Sequence, residues 1–175
     1  MEEVISAVET NRLRLVPLSR EQLDLYLLND GSLERQMGVG YSMKEINPDL
    51  QSGLQEHFIP LVAQHPDAFY FFTLWSIVLK EENVLVGDIC FKGAPDEDGQ
   101  VEIGYGTYDA FQQRGIMAEA VGALLSWCQH HPNIKLVLAE TEAGNTASEK
   151  TLLKNGFQCY HKGRDNSWWK KRIKN

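Results

Sequence analysis

Polar and apolar residues alternate along Arg12-Leu13-Arg14-Leu15-Val16-Pro17-Leu18. A period of two predicts a strand, and Pro17 marks its end because proline cannot donate to a ladder. Ser19-Arg20-Glu21-Gln22 then supplies an N-cap with a capping-box glutamine, and Leu23, Tyr26 and Leu27 follow at helical spacing. A first helix is expected from about Arg20 to Leu28. From Asn29 to Gly53 no period is sustained, and Gly31, Gly38, Gly40, Pro48 and Gly53 punctuate the chain. Such a stretch reads as a loop or broken helix, and long irregular segments often serve as binding loops or lids. Leu54, Phe58, Leu61 and Val62 resume helical spacing until His65-Pro66 stops them.

Phe69 to Leu79 and Val84 to Lys92 are rich in aromatic and β-branched residues and predict two strands joined by the polar turn Lys80-Glu81-Glu82-Asn83. A second polar turn, Gly93 to Gly99, leads into Val101 to Tyr108, completing an antiparallel meander. Met117, Val121, Leu124 and Cys128 then form an apolar helical stripe opposite Glu119, Gly122, Ser126 and Gln129, ending at His130-His131-Pro132. The apolar strand Lys135 to Ala139 follows that helix, so it should lie parallel to the strand before it. Thr146-x-x-Glu149 reads as a capping box, Leu152 and Leu153 as core positions and Gly156 as a C-terminal cap. Phe157 to His161 and Ser167 to Ile173 close the chain as a hairpin around Gly163-Arg164-Asp165-Asn166. The fold class is α+β, with a mixed sheet and one βαβ crossover.

With 175 residues the chain is long enough to bury roughly 70% of its unfolded surface as one domain spanning 1–175, and no linker interrupts it. A formal net charge of -7 disfavours nonspecific contact with nucleic acid or anionic membrane and suits an amine-bearing partner or simple solubility. Cys90, Cys128 and Cys159 are odd in number, far apart and without a CxxC, which reads as reduced thiols in a cytoplasmic protein. Met1-Glu2-Glu3 is acidic where a targeting segment would be basic. The longest apolar run, Ala68 to Leu79, is too short to span a membrane and reads as a buried strand.

Candidate chemistry concentrates around Gln112-Gln113-Arg114-Gly115-Ile116-Met117-Ala118, a polar, Gly-containing turn opening a helix. The first amides of a helix lack intrahelical partners and carry its positive dipole end, so backbone alone can bind an anion there. Gly115 admits close approach, and Arg114 adds a cation suited to several phosphate oxygens. The strand before the turn places Glu102, Gly104 and Gly106 on one face and Ile103 and Tyr105 on the other. Two glycines beside a carboxylate leave an open groove. Glu102 is therefore a candidate general base, directly or through water, with a strand carboxylate or salt-bridge partner as the alternative reading.

The order E-I-G-Y (Glu102–Tyr105), Q-x-R-G-x-x-x-E-A (Gln112–Ala120), N-x-x-S (Asn145–Ser148) and K-x-G-F (Lys154–Phe157) resembles the GNAT superfamily of acetyl-CoA-dependent N-acetyltransferases. The opening Glu9 to Leu15 is similar to its ribosomal-protein N-terminal acetyltransferase (RimJ/RimL-like) branch. The resemblance covers nearly the whole chain. It implies a central, mostly antiparallel sheet of about seven strands flanked by about four helices. It also implies acetyl-CoA as cosubstrate, no metal, and direct attack by an amine in a ternary complex. The acceptor would be a protein N-terminus or a small-molecule amine.

Residue by residue, the resemblance puts the cofactor pyrophosphate on the amides of Gln113, Arg114, Gly115, Ile116, Met117 and Ala118, and the pantetheine arm against Asn145. The thioester carbonyl would meet a backbone donor near Thr107 or Tyr108. Glu102 matches the strand carboxylate that serves as base in several members. Ser148 matches a serine of the branch and is a weak proton donor, or an ordinary first-turn residue. Two departures stand out. Leu152 occupies the place of a general-acid tyrosine, and Met117 stands where glycine or alanine is usual, either narrowing the turn or packing in the core.

Other residues carry less. Adjacent His130 and His131 point apart on a helix and suit its C-terminus better than a metal. His161 is a second base candidate. Cys159 lacks an adjacent base, and Trp168 and Trp169 divide between core and a substrate wall or an interface, leaving a homodimer open. The alternatives to an enzyme of this class are a non-catalytic acyl-CoA-binding regulatory module and a nucleotide-phosphate enzyme. The latter lacks a Walker Lys-Ser/Thr pair.

Overall fold

A computed structural model of the chain describes residues 7–173. Met1-Glu2-Glu3, on which the expectation about targeting rests, lies outside them. One eight-stranded sheet runs in the order β1-β2-β3-β4-β5-β6-β8-β7. Its strands are β1 (Val8–Glu9), β2 (Leu13–Pro17), β3 (Leu74–Leu79), β4 (Val84–Phe91), β5 (Gln100–Thr107), β6 (Leu136–Glu142), β7 (Gln158–Lys162) and β8 (Asn166–Arg172). Among these strands only β5 and β6 pair in parallel, and helix α5 (Ile116–His130) makes the crossover that the sequence predicts.

The extra strand arises because Glu9 to Leu15 is not one extended stretch. The backbone reverses at Thr10, whose N–H donates to the Leu13 carbonyl while its hydroxyl accepts from the Leu13 N–H, both at 2.9 Å.

Helix α1 (Arg20–Leu28) starts on the expected Ser19–Gln22 capping box. Part of the segment expected to be irregular winds as α2 (Ser32–Met37), set between the left-handed Gly31 and Gly38. Helix α3 (Pro48–Gly53) continues through a π turn at Leu54–Phe58 into α4 (Ile59–Gln64). Pro60 has no N–H for the Glu56 carbonyl four residues back, and the widened turn absorbs that loss.

Two expectations need correction. The strand expected from Phe69 begins only at Leu74, because Pro66–Phe71 forms a 3-10 turn. Tyr70 and Phe71 there meet Trp127 at ring separations of 5.5 and 5.8 Å, a tertiary contact that overrides strand propensity. Helix α6 (Thr146–Lys154) is capped one residue earlier than Thr146-x-x-Glu149 implies. Asn145 is its N-cap, accepting the Ser148 N–H at 3.2 Å. At its other end Gly156 adopts φ +78, and the Gly156 and Phe157 amides donate back to the Leu153 and Leu152 carbonyls.

Both faces of the central strands are covered, so all six residues of β3 are buried. Helix α5 closes one core over Leu13, Trp75, Ile89, Phe91 and Ile103, while α1 to α4 close another around Leu18, Leu23, Tyr26, Leu54 and Leu85. The stripe Met117, Val121, Leu124 and Cys128 is buried as expected, and Ala120, Ala123 and Leu125 join it because α5 lies flat on the sheet. β5 and β6 pair from Gln100↔Leu136 to Ile103↔Ala139. Beyond that point β5 continues against β4 and β6 against β8, and the two strands part.

Candidate active site

The Gly115 turn follows the end of β5, the part of that strand no longer paired with β6. Gln113 and Gly115 both adopt left-handed backbone, φ +62 and +72, folding the turn tightly enough to aim the start of α5 into the opening. No side chain caps α5, and the Glu119 N–H donates to the Gly115 carbonyl to begin its backbone ladder. The amides of Ile116, Met117 and Ala118 are therefore offered outward, as an anion site requires. Arg12, just before β2, braces this turn, donating through Nη1 to the Arg114 carbonyl at 3.1 Å and through Nε to Glu119 at 2.9 Å. Burial pushes the Glu119 carboxyl up, but the Thr10 hydroxyl and the Arg12 guanidinium outweigh it and hold Glu119 below its usual range. The Arg114 guanidinium is tied to Glu82 at 2.6 Å.

A cleft of about 810 Å³ extends from the turn. Its walls include Gly106 and Thr107 from β5, Gln113 to Ala118 from the turn, and Asn145 and Ser148 at the start of α6. All the expected cofactor contacts except Tyr108 thus meet at one cavity. Met117 borders the cleft yet packs in the α5 core, 7% exposed, so its bulk is spent mainly on packing. Asn145 spends Oδ1 on the α6 cap. Ser148 Oγ donates to the Tyr105 hydroxyl, and burial pushes that phenol up, keeping it protonated.

The sequence reading assigned no role to Tyr105, or to Lys150 and Lys154, which also line the cleft. The two lysines were legible as an i, i+4 pair on α6.

Glu102 is absent from this cleft lining. Its Oε1 accepts from Lys92 at 2.8 Å, which is the salt-bridge alternative foreseen from sequence. Burial alone lowers the Lys92 ammonium, but the hydrogen bond and charge of Glu102 more than offset this and raise it. The glycine groove is present: a Cβ on Gly106 would meet nothing within 4 Å, and one on Gly104 only Lys92 Cε and Cys90 Sγ at 3.5 and 3.7 Å.

Tyr108 turns away from the cleft. Its N–H donates to the Val86 carbonyl at 2.8 Å and its hydroxyl to Asp88 at 3.4 Å, so the thioester donor expected near Thr107 or Tyr108 is better sought at Thr107. Asp88 on β4 stands directly opposite Gly106 and also accepts from Tyr26 and Ser76. Burial pushes its carboxyl up to about 6, against those two hydroxyls, the Lys44 ammonium and the Tyr108 hydroxyl. Nothing in the sequence pattern flagged Asp88.

His161 packs against Trp168 with ring centres 5.2 Å apart on the β7–β8 hairpin, and Trp169 is buried with its indole N–H on Thr141. His130 bonds the Ser126 carbonyl through Nδ1, while His131 packs on Phe71 and Trp127, so the two histidines do point apart. Cys159 is exposed on the edge strand β7. Burial pushes the Cys90 thiol up to about 11, which removes it as a thiolate nucleophile. Among the described residues no helix is long and apolar enough to cross a membrane.

The acetyltransferase (GNAT) domain family matches residues 12–158. The uncharacterized N-acetyltransferase YjdG of Bacillus subtilis (strain 168) is 30% identical over 162 residues, covering 93% of this chain and 95% of its own length. The ribosomal-protein-S5-alanine acetyltransferase from Vibrio fischeri has a similar fold, with a TM-score of 0.72 at 15% identity and 97% coverage of both chains. RimL, a ribosomal L7/L12 α-N-protein acetyltransferase solved in complex with coenzyme A, gives a TM-score of 0.69 at 15% identity, covering 96% of this chain and 98% of that one.

Proposed function

We propose a working site for this chain, which belongs to the acetyltransferase (GNAT) domain family, in which the cleft beside the Gly115 turn holds acetyl-CoA and the glycine groove on the opposite sheet face admits the acceptor. The enzyme transfers an acetyl group from acetyl-CoA to an amine. The observation that carries the site assignment is the uncapped start of α5, aimed into a cleft walled by the end of β5 and the start of α6.

In this reading the amides of Gln113 to Ala118 take the pyrophosphate, with Arg114 leaving Glu82 to join it. Asn145 meets the pantetheine arm, and Thr107 offers its backbone to the thioester oxygen. Ser148, turning its hydroxyl away from Tyr105, donates a hydrogen bond to the departing thiolate. That thiolate leaves with little help, since its conjugate acid has a pKa near 8.5. Glu102 stands at the outer end of the groove and draws the acceptor in as an ammonium. The protein thereby contributes orientation and a carbonyl donor more than covalent chemistry. The acceptor is a primary amine, a peptide N-terminus or a small molecule, and three cysteines that form no disulfide suit a cytoplasmic setting.

Thiol release from acetyl-CoA with a panel of peptides and small amines tests the assignment. Turnover with at least one primary amine is expected, together with a KM for acetyl-CoA that rises on Arg114→Ala. Tighter calorimetric binding of ATP than of CoA would overturn the cleft assignment. Binding of acetyl-CoA without turnover across the panel would favour a regulatory module.

A further inference from the structure

The groove has two carboxylates, and their positions along the strands differ. Glu102 lies four residues before Gly106 on β5, about 13 Å at roughly 3.3 Å per residue. Asp88 is the direct cross-strand partner of Gly106, with Cα atoms about 5 Å apart. Gly106 is also the groove residue that lines the cofactor cleft. The reacting ends of acceptor and cofactor can meet only where groove and cleft touch, which is at Gly106. On this geometry Asp88 is within reach of that point and Glu102 is not.

Three elements converge on Asp88. Tyr26 from α1 and Ser76 from β3 donate hydroxyls to it, and Tyr108 adds a longer one from the end of β5. Three hydroxyls leave a carboxylate, which has about four acceptor positions, room for one more donor. Asp88 is crowded by protein yet still touched by solvent, as a group at the floor of a groove should be.

Resting on the site reading above, we propose that Asp88 is a catalytic residue that hydrogen-bonds the acceptor nitrogen and takes its first proton. The ammonium gives one proton to the Asp88 carboxylate, which passes it to solvent. The freed lone pair forms the N–C bond at the thioester carbonyl carbon. The C–S bond then breaks with its electron pair on sulfur, and the second N–H proton ends on the CoA thiolate. Glu102, paired with Lys92, steers from the rim.

The groups facing Asp88 favour this role. Tyr26 and Tyr108 both have phenols raised well above their usual value, so they remain donors. Cys90, next along the same face of β4, stays a thiol. Lys44, itself paired with Glu34, supplies the nearby positive charge. With its carboxyl held at about 6, Asp88 is ionised at neutral pH yet basic enough to hold a proton briefly.

The test uses the full chain and an acceptor found in the amine panel. Asp88→Asn is expected to lower kcat/KM for the acceptor about 100-fold or more, to leave calorimetric CoA affinity within about twofold, and to abolish an acid limb near pH 6. Tyr26→Phe removes a donor to the ionised form, so the limb should move to higher pH, and this variant decides the matter if Asp88→Asn does not fold. Acceptor kcat/KM within threefold of wild type for Asp88→Asn, or an acid limb unmoved in Tyr26→Phe, overturns the proposal. Failure of the cofactor placement is distinguishable, because Arg114→Ala would then leave CoA affinity untouched whatever Asp88 does.

Discussion

Ser148 Oγ donates to the Tyr105 phenol oxygen at 2.9 Å, and the phenol in turn donates to the Ser148 carbonyl at 3.2 Å. The first turn of α6 is thereby joined to β5 across the cleft. Leu152, which stands where many superfamily members carry tyrosine, is fully buried at 0% exposure. A phenol reaches the cleft all the same, from the strand instead of the helix.

Tyr105→Phe and Ser148→Ala should each lower kcat about three- to tenfold with little change in KM for acetyl-CoA, because a thiolate of conjugate-acid pKa near 8.5 departs readily. As the two hydroxyls act as a unit, the double variant should be no worse than about the worse single one. Steady-state thiol release measures all three.

Arg114 must give up Glu82 to reach a phosphate. Both side chains of this pair are well exposed, 40% and 43%, so it contributes about 0–1 kcal/mol. Glu82→Gln should therefore lower KM for acetyl-CoA by up to about fivefold. An unchanged or higher KM would show that Arg114 does not move to the cofactor.

Lys44 and Glu34 form a pair 0% and 2% exposed, with the Lys44 ammonium over the Tyr26 ring and Glu34 Oε2 buried without a partner. Lys44→Met should cost about 3–5 kcal/mol in urea denaturation, because it strands a buried charge. Adding Glu34→Leu should restore most of that loss.

For Asp88 the folded carboxyl is raised above its ordinary 3.8 to about 6. Ionising it is thus harder in the fold than in the unfolded chain. Its contribution to stability is greatest below pH 3.8 and is lost as pH rises through about 6. Relative to wild type, Asp88→Asn should gain about 3 kcal/mol of unfolding free energy between pH 3.5 and 7, on top of a pH-independent offset. Denaturant titrations of both proteins at several pH values give that difference directly.

Local patterns fixed the elements whose residues answer to their own neighbours. The Ser19 cap, the α5 stripe and the Gly115 turn were all readable, since capping, periodicity and left-handed backbone are local matters. What was not readable depended on partners far along the chain. Trp127 draws Tyr70 and Phe71 out of a strand, Lys92 occupies Glu102, and Asp88 becomes notable only through Tyr26 on a helix 62 residues away. The split between β5 and β6 places Gly106 beside both openings, and no spacing within β5 encodes that.

That split also leaves the main-chain groups of Tyr105 and Thr107 facing a gap where a neighbouring strand would otherwise lie. An unfinished sheet edge commonly recruits another polypeptide. With the cofactor placed as proposed, the two amides of its pantetheine arm would stand in for the missing peptide units. Loading the cofactor is then the last step of sheet assembly. A hundredfold excess over Kd should add about 2.7 kcal/mol to unfolding, with the extra amide protection gathered at Tyr105 and Thr107.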